Sequence, residues 1–151
     1  MEWGEFMMSP IIRRANEKDT DSLFELNELF NGKGTTTKEK MLNSLQYNKQ
    51  EIVFIAIEKE QPVGFICGQV FMSMCYDTYY GEISELFVIE GYRRKGIARL
   101  LISKMEEEFK QNNIFSFQLF TGVDNIIAQT FYTSCGYKKS EERMYRKRTS
   151  H

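Results

Sequence analysis

The feature that most constrains the fold is a central block of three β-rich segments separated by short turns. The residues from Ile52 to Ile57 form a continuous apolar run, which predicts a buried strand. A turn follows at residues 59–62, and β-rich sequence resumes from Val63 to Met74 and again from about Tyr80 to Ile89. Three successive strands joined by short turns predict an antiparallel meander.

Segments with helical periodicity lie on both sides of this block. Two helices are predicted upstream, one after N-cap candidates at residues 19–22 and one after Thr36 and Glu39, which have capping-box spacing. Downstream, apolar positions from Ile97 to Phe109 predict an amphipathic helix that packs one face on the sheet. The other predicted elements are strands at 11–14 and 115–120, a helix at 126–135 and a last strand at 137–146. The order β-α-α-β-β-β-α-β-α-β predicts one α/β domain with a mixed sheet.

The length of the chain, 151 residues, suits a single compact domain. We assign residues 11–148 to this domain and interpret residues 1–10 as a loose N-terminal arm or an expression remnant. The arm does not resemble a signal peptide, because no basic segment is followed by an apolar core.

Composition and charge argue against several classes of protein. The 20 basic and 21 acidic residues give a net charge of -1, so we expect no nucleic-acid partner. No apolar run approaches the roughly 20 residues that span a bilayer, so we expect no membrane partner. Three cysteines without a CxxC pair, with one histidine at position 151, predict no metal site. Scattered thiols fit a reducing compartment, and the predicted location is the cytoplasm.

The most informative stretch runs from Glu85 to Leu101, where a β-rich segment enters a basic loop that opens into a helix. Amides in the first turn of a helix lack intrahelical acceptors, and the helix dipole adds partial positive charge there. Gly96 and Ala98 are small enough for a ligand to approach the backbone, and four cations surround them: Arg93, Arg94, Lys95 and Arg99. The stretch therefore predicts an anion-binding site, with a solvated basic turn as the alternative. It matches neither the P-loop pattern nor GxGxxG.

Two motifs give the chain a family resemblance. The residues Arg93-x-x-Gly96-x-Ala98 match the Q/R-x-x-G-x-G/A motif of the GNAT acyltransferases, in the strand-loop-helix context that this motif requires. The second motif of the family is similar to Asn125-x-x-Ala128-x-x-Phe131-Tyr132-x-x-x-Gly136-Tyr137. The resemblance implies a single-domain GNAT-like acyl-CoA N-acyltransferase fold, with a mixed, mostly antiparallel sheet flanked by helices. It also implies an acetyl-CoA-dependent N-acetyltransferase.

The resemblance implies which residues bind acetyl-CoA. In the family, the strand before the loop separates from its neighbour at a bulge, and the pantetheine arm enters the gap. Leu86, Phe87 and Val88 would offer backbone groups to this arm, and an amide near Val88 would polarise the thioester carbonyl. The loop would bind the pyrophosphate, and the second motif would add two contacts. The implied loop and second-motif residues are Arg93, Arg94, Lys95, Gly96, Ile97, Ala98 and Arg99, with Asn125 and Tyr132.

The resemblance also implies the catalytic residues. Tyr132 matches a tyrosine near the cofactor sulfur, where a phenol would donate a proton to the departing thiolate; the alternative is a core aromatic. The base in the family is usually a carboxylate at or near the fourth strand, or a water held by one, which makes Glu85 the candidate and Glu82 the next. Strand alternation places Glu85 on the same face as Ile83 and Phe87, where an unpartnered carboxylate is costly. The alternative for Glu85 is a solvated or salt-bridged residue on an open face.

The predicted acceptor is the primary amine of a small molecule that is polyamine, aminoglycoside-like or amino-acid-like. The resemblance implies a pocket built by residues 30–37, 74–80 and 137–145. In the second segment Tyr76 and Asp77 would suit a cationic amine, with ordinary surface tyrosines on a hairpin connection as the alternative. Direct attack in a ternary complex is the economical mechanism, since no internal histidine could activate Cys135. Two alternatives stay open: acetylation of a protein or peptide N-terminus or lysine, and a non-catalytic acyl-CoA-binding module. The resemblance also leaves a homodimer open.

Overall fold

The computed structural model describes residues 10–150 of the chain. The elements in chain order are β1 (Ile11–Arg14), α1 (Thr20–Asn31), α2 (Lys38–Tyr47), β2 (Glu51–Glu58), β3 (Gln61–Phe71), β4 (Tyr80–Val88), α3 (Ile97–Gln111), β5 (Phe117–Leu119) and α4 (Ile126–Ser134). Short 3₁₀ helices occur at Glu17–Asp19 and Glu90–Tyr92. The arm expected at residues 1–10 lies, apart from Pro10, outside the described residues. None of the helices in the described range is long and apolar enough to cross a membrane.

The five strands form one sheet in the order β1-β2-β3-β4-β5. The first three pairings are antiparallel, and β4 pairs with β5 in parallel. The predicted meander and the mixed, mostly antiparallel sheet are therefore confirmed. The strands β2 and β3 are continuous apolar runs because helices cover both faces, and Ile55 and Ile66 are fully buried.

α3 packs on one face of the sheet, where its side chains fill space that two strand residues leave open. A Cβ atom at Gly68 would lie 2.5 Å from the sulfur of Met105, and one at Gly81 would lie 2.8 Å from the ring of Phe109. Both positions require glycine because the helix occupies the space that a side chain would need. The ring of Phe109 also stacks on Phe117 of β5, with 5.4 Å between centroids.

α1 packs on the opposite face, and its start is tied to the edge strand β1. Asp19 is the N-cap of α1, but its carboxylate makes no cap hydrogen bond to the helix. It accepts two hydrogen bonds from the guanidinium of Arg13, at 2.7 and 2.8 Å, and one from the backbone N–H of Asn16 at 2.9 Å. The buried cluster beneath α1 contains Ala15, Leu23, Leu26, Val53, Ile55, Phe65, Cys67 and Phe87.

A β-bulge in β4 changes which side chains share a face. Cys67 pairs with Glu85, while the next residue, Gly68, pairs with Ile83, so Ser84 is an extra residue on β4. Ile83 therefore faces α3, and Glu85 faces α1 and α2. The prediction that Glu85 and Ile83 share a face was wrong, because simple alternation ignores the extra residue. The prediction that Glu85 shares a face with Phe87 is confirmed.

The described chain divides into two compact units, one ending at Phe120 and one beginning at Thr121. The second unit contains α4, which begins after its N-cap Asn125 and is followed by Gly136 in a left-handed conformation, with φ of +93°. The last strand predicted at 137–146 is not formed within the described residues. Charged residues occupy eight of the eleven positions from 138 to 148. Met144 and Tyr145 between them are exposed, so the segment has no apolar face to bury.

Candidate functional site

The loop between β4 and α3 has a tightly turned backbone. The amide of Tyr92 donates to the carbonyl of Ile89 at 2.9 Å, and the amide of Arg93 donates to Glu90 at 3.2 Å. Two residues then adopt left-handed conformations, with φ of +63° at Arg94 and +82° at Gly96. Turns of this kind can direct backbone amides toward one side and form an anion-binding concavity.

The N-terminus of α3 is open for a ligand. The helix begins at Ile97, and its first intrahelical donor is Leu100, whose amide bonds the carbonyl of Gly96 at 3.0 Å. No side chain caps the helix, and nothing lies within 4 Å of the position that a Cβ would take at Gly96. The amides of Ile97 and Ala98 thus belong to the turn that lacks intrahelical acceptors, which suits an anion.

The cationic side chains of the loop do not all point the same way. Arg93 turns back to the strand, where its Nε donates to the carbonyl of Val88 at 2.8 Å and its guanidinium lies 5.8 Å from the ring centroid of Phe87. The ammonium of Lys95 lies 5.3 Å from the ring centroid of Tyr92. All four cations of the loop are exposed and add positive charge near the helix N-terminus: Arg93, Arg94, Lys95 and Arg99.

The second half of β4 pairs with no described strand on the side away from β3, and this side is its free edge. The strand β5 pairs only with the residues from Gly81 to Ile83, before the bulge. The amide of Ile89 donates to Val63 of β3 at 2.8 Å. Since antiparallel pairs alternate between bonded and non-bonded types, the backbone groups of Leu86 and Val88 point toward the free edge. The backbone groups of Phe87 point toward β3, whereas the sequence analysis expected them to be offered to the pantetheine arm. Two residues, rather than three, present backbone groups to a ligand entering this gap.

Glu85 lines a cavity on the α1–α2 face of the sheet. The cavity has a volume of about 230 Å³ and lies between α1, α2 and strands β2 to β4. Apolar side chains such as Met41 and Phe65 form part of its wall. The polar and charged residues that line it are Asn27, Thr36, Lys40, Ser44, Glu51 and Glu85. The cavity therefore combines apolar walls with two carboxylates, a lining suited to a cationic ligand.

Glu51 is a second carboxylate in this cavity, and the sequence analysis missed it. Its two oxygens accept hydrogen bonds from Ser44 of α2, at 3.2 Å, and from Gln69 of β3, at 2.8 Å. Alternation along β2 could have indicated its position, because Glu51, Val53 and Ile55 share a face. Among the described residues, neither Glu51 nor Glu85 forms an ion pair. Lys40 is the cationic residue of the lining, and it is exposed on α2.

The environment of Glu85 favours its protonated form. Burial raises the pKa of the Glu85 carboxyl, the negative charge of Glu51 adds to this, and the side-chain amide of Asn31 opposes it. Between the two carboxylates, the pKa of the Cys67 thiol is raised by burial and by both negative charges. The thiol therefore stays protonated at neutral pH, whereas Glu85 is a carboxylate of increased basicity. A general base needs this increased basicity.

Glu82, the second candidate base, is held differently. It lies in a row across the sheet with Gln69 of β3 and Gln118 of β5. The side-chain amide of Gln118 donates to its carboxylate at 3.3 Å. Glu82 does not line the cavity, which favours Glu85 as the carboxylate that meets a ligand there.

The second-motif residues lie in the second unit. The side-chain oxygen of Asn125 accepts from the amide of Ala128 at 3.1 Å and so caps α4. Tyr132 is half-buried against the rings of Phe131 and Tyr137, with centroid separations of 5.4 and 6.2 Å. Burial raises the pKa of the Tyr132 phenol, which keeps the proton that a general acid must donate.

The expected acceptor segments contribute unequally to the cavity. Thr36, from the segment 30–37, lines it. Tyr76 and Tyr79 of the β3–β4 connection are exposed and are not among its lining residues. This connection starts instead from a surface stack of Phe71 on Tyr80, with 4.9 Å between ring centroids.

Comparison with known proteins gives consistent matches. Residues 20–137 match the model of the acetyltransferase (GNAT) family. An uncharacterized N-acetyltransferase of Chlorobaculum tepidum is 28% identical over 89% of this chain and 79% of its own length. The aminoalkylphosphonate N-acetyltransferase of Salmonella typhimurium is 27% identical over 87% of each chain. Among solved structures, the aminoglycoside N-acetyltransferase AAC(6′)-Iy in complex with CoA superposes with a TM-score of 0.78, at 20% identity, over 93% of this chain and 96% of that one.

Proposed function

The chain belongs to the GNAT family of N-acetyltransferases, which take their acetyl group from acetyl-CoA, and we propose that its acceptor is a primary amine on a cationic small molecule. In this proposal the amine attacks the thioester directly in a ternary complex. Glu85 is the general base and Tyr132 the general acid.

The observation that carries the proposal is the cavity of about 230 Å³ that contains both Glu85 and Glu51. It lies on the face of β4 that Glu85 shares with Phe87, next to the strand segment with the free edge. An ammonium group entering the cavity would meet negative charge that no described residue neutralises by an ion pair. The volume lies below the range of drug-sized ligand pockets, which favours a compact amine over a polypeptide segment.

The residues around the loop fit acetyl-CoA. The left-handed Gly96 leaves open space at the N-terminus of α3, and the amides of Ile97 and Ala98 would hold the pyrophosphate. The free-edge backbone groups of Leu86 and the amide of Val88 would bind the pantetheine amides as an added strand does, since the Val88 carbonyl already accepts from Arg93. Bound acetyl-CoA supplies the thioester whose acetyl group is transferred.

Two residues of this chain would move protons. Glu85 would take the proton from the incoming ammonium group, and its raised pKa makes it a stronger base than an exposed glutamate. Tyr132 would give a proton to the departing thiolate, and its raised pKa keeps the phenol protonated until that step.

Two relatives support a small-molecule acceptor by name: the Salmonella typhimurium protein acts on aminoalkylphosphonates, and AAC(6′)-Iy on aminoglycosides. Polar and acidic groups around the cavity suit the amines of such molecules. The rival acceptor is a protein or peptide amine, which would need an extended groove rather than a cavity of this volume.

The test is thiol release from acetyl-CoA against a panel of amines, with peptides and small diamines compared at equal concentration. We expect turnover with small cationic amines. Turnover with peptides alone would contradict the proposal, and acetyl-CoA binding without turnover would indicate a non-catalytic module.

The base is tested on the best amine by comparing Glu85→Gln with Glu82→Gln. We expect kcat/KM of the wild-type enzyme to fall at acidic pH as Glu85 is protonated, with a midpoint above the ordinary pKa of glutamate because burial raises it. Glu85→Gln should remove this acidic limb. If Glu82→Gln removes it instead, the base is Glu82.

A further inference from the structure

We propose that Arg93 is a positioning residue: its guanidinium fixes the end of β4 against the following loop and does not serve as a phosphate ligand. The inference depends on the use of acetyl-CoA by the family and is independent of which amine is the acceptor. It differs from the role that the motif alone implies for this residue.

The first observation is the hydrogen bond that closes the loop. The Nε of Arg93 donates to the carbonyl oxygen of Val88, five residues earlier, at 2.8 Å. Inside this ring, the amide of Tyr92 bonds Ile89 and the amide of Arg93 bonds Glu90. The backbone of residues 88–93 is thus fixed by two backbone bonds and one side-chain bond.

The second observation is where the charge of Arg93 lies. Its guanidinium is 5.8 Å from the ring centroid of Phe87, which is buried. The ring of Phe87 stacks in turn on Phe30 of α1, with 5.0 Å between centroids, and contacts Phe65 of β3 at 6.2 Å. The guanidinium thus contacts two residues of β4, Val88 and Phe87, and the ring stack connects it to the core.

The position of Val88 explains why this bond matters for the cofactor. The carbonyl of Val88 points toward the free edge of β4, as its amide does. A donor from the same chain satisfies this carbonyl and holds the edge in place before a ligand arrives. The strand edge and the N-terminus of α3 are then kept at a fixed separation, and preorganisation of this kind lowers the cost of binding.

The neighbouring cations provide a matched comparison. Lys95 is exposed two residues further on, and its ammonium lies over the ring of Tyr92. It has no hydrogen bond to β4 among those of the described residues. Removal of the Lys95 charge should therefore measure how much the positive charge of the loop contributes to CoA affinity, without a change in the contacts of β4.

The experiment separates the charge of Arg93 from its donor position. In Arg93→Gln, the amide nitrogen Nε2 stands the same number of bonds from Cα as the arginine Nε, so the donor is kept and the charge is lost. In Arg93→Lys, a methylene takes that position, so the charge is kept and the donor is lost. CoA affinity is measured by calorimetry at low and high salt for both variants and for Lys95→Gln.

We expect Arg93→Lys to weaken CoA binding about tenfold, as the loss of a hydrogen bond from a charged donor does. Its salt dependence should match that of the wild type. Arg93→Gln should stay within about threefold of the wild type, and Lys95→Gln should flatten the salt dependence. The opposite ranking, with Arg93→Lys like the wild type and Arg93→Gln weak and less salt-dependent, would overturn the proposal.

Hydrogen exchange of the unliganded proteins gives a readout that does not involve the cofactor. Peptides covering residues 86–93 should exchange faster in Arg93→Lys than in the wild type, and at the wild-type rate in Arg93→Gln. Unchanged exchange in Arg93→Lys would also overturn the proposal. If Arg93→Lys does not fold, Arg93→Gln decides alone: affinity near that of the wild type supports positioning, and a tenfold loss with a flatter salt dependence refutes it.

Discussion

Replacement of Gly96 by glutamate tests the anion site directly, and replacement by alanine is its control. Gly96 has φ of +82° and ψ of 4°, a conformation that costs a residue with a Cβ about 1–2 kcal/mol. Nothing lies within 4 Å of that Cβ, so the Cβ of neither variant meets a steric clash. Both variants should therefore lose about the same small amount of folding free energy.

The two variants should differ strongly in binding. A carboxylate about 4 Å from a phosphate charge is repelled by about 4 kcal/mol at an effective dielectric constant of 20, which corresponds to roughly a thousandfold in affinity. In the unliganded protein the same carboxylate lies at a helix N-terminus, where the dipole stabilises it by about 0.3–1 kcal/mol. The glutamate variant should thus be at least as stable as the alanine variant while binding CoA far more weakly.

Calorimetric titration with CoA measures the affinities, and thermal unfolding without CoA measures the stabilities. We expect CoA binding to be undetectable in Gly96→Glu and retained in Gly96→Ala. Measurable and equal affinities in the two variants would refute the assignment of the pyrophosphate to this helix terminus. An equal and complete loss in both would show that the backbone conformation, rather than the charge, decides binding.

Three further substitutions test other parts of the structure. Tyr132→Phe should lower turnover about a hundredfold with acetyl-CoA affinity unchanged, because only the proton is removed; loss of both would indicate a packing role. Asp19→Asn should cost about 2 kcal/mol of unfolding free energy at neutral pH by breaking the bond to Arg13. Arg13 lowers the pKa of the Asp19 carboxyl, so the extra stability of the wild type over Asp19→Asn should be complete above the ordinary aspartate pKa and disappear as pH falls through the lowered pKa. Urea denaturation of both proteins across this pH range measures it, and a difference in unfolding free energy that does not change with pH would contradict the expectation. Gly68→Ala should destabilise the protein by about 1–3 kcal/mol, since its Cβ would lie 2.5 Å from the sulfur of Met105, and an unchanged urea midpoint would show that the helix adjusts freely.

The elements that the sequence predicts well are those decided by short-range patterns. The run from Ile52 to Ile57 lies within β2, and α3 begins at Ile97 as its apolar spacing indicates. The N-cap of α2 is Thr37, which accepts from the amide of Lys40, one residue beyond the predicted cap. Consecutive threonines are equivalent N-cap candidates. The sequence therefore predicts the start of α2 to within one residue but does not show which threonine is the cap.

What the sequence did not predict depends on contacts between distant segments. The extra residue Ser84 carries no local signal, yet it decides the faces of Ile83 and Glu85. Glu51 becomes a cavity residue because β2 lies beside β3 and beneath α2, which brings Gln69 and Ser44 to its oxygens. Strand pairing and helix placement set both outcomes, and neither can be read from hydrophobic periodicity.

The bulge at Ser84 has a consequence for insertions and deletions. Because consecutive residues of β3, Cys67 and Gly68, pair with Glu85 and Ile83, removal of Ser84 would leave both pairings intact in an unbroken ladder. Every neighbouring side chain would keep its orientation, and only the local curvature of the strand would be lost. A straightened β4 could extend its ladder to β5 past Ile83 and close the gap between them. A relative that lacks the residue aligned with Ser84 would thus keep the same side chains at the site but lose the opening between β4 and β5.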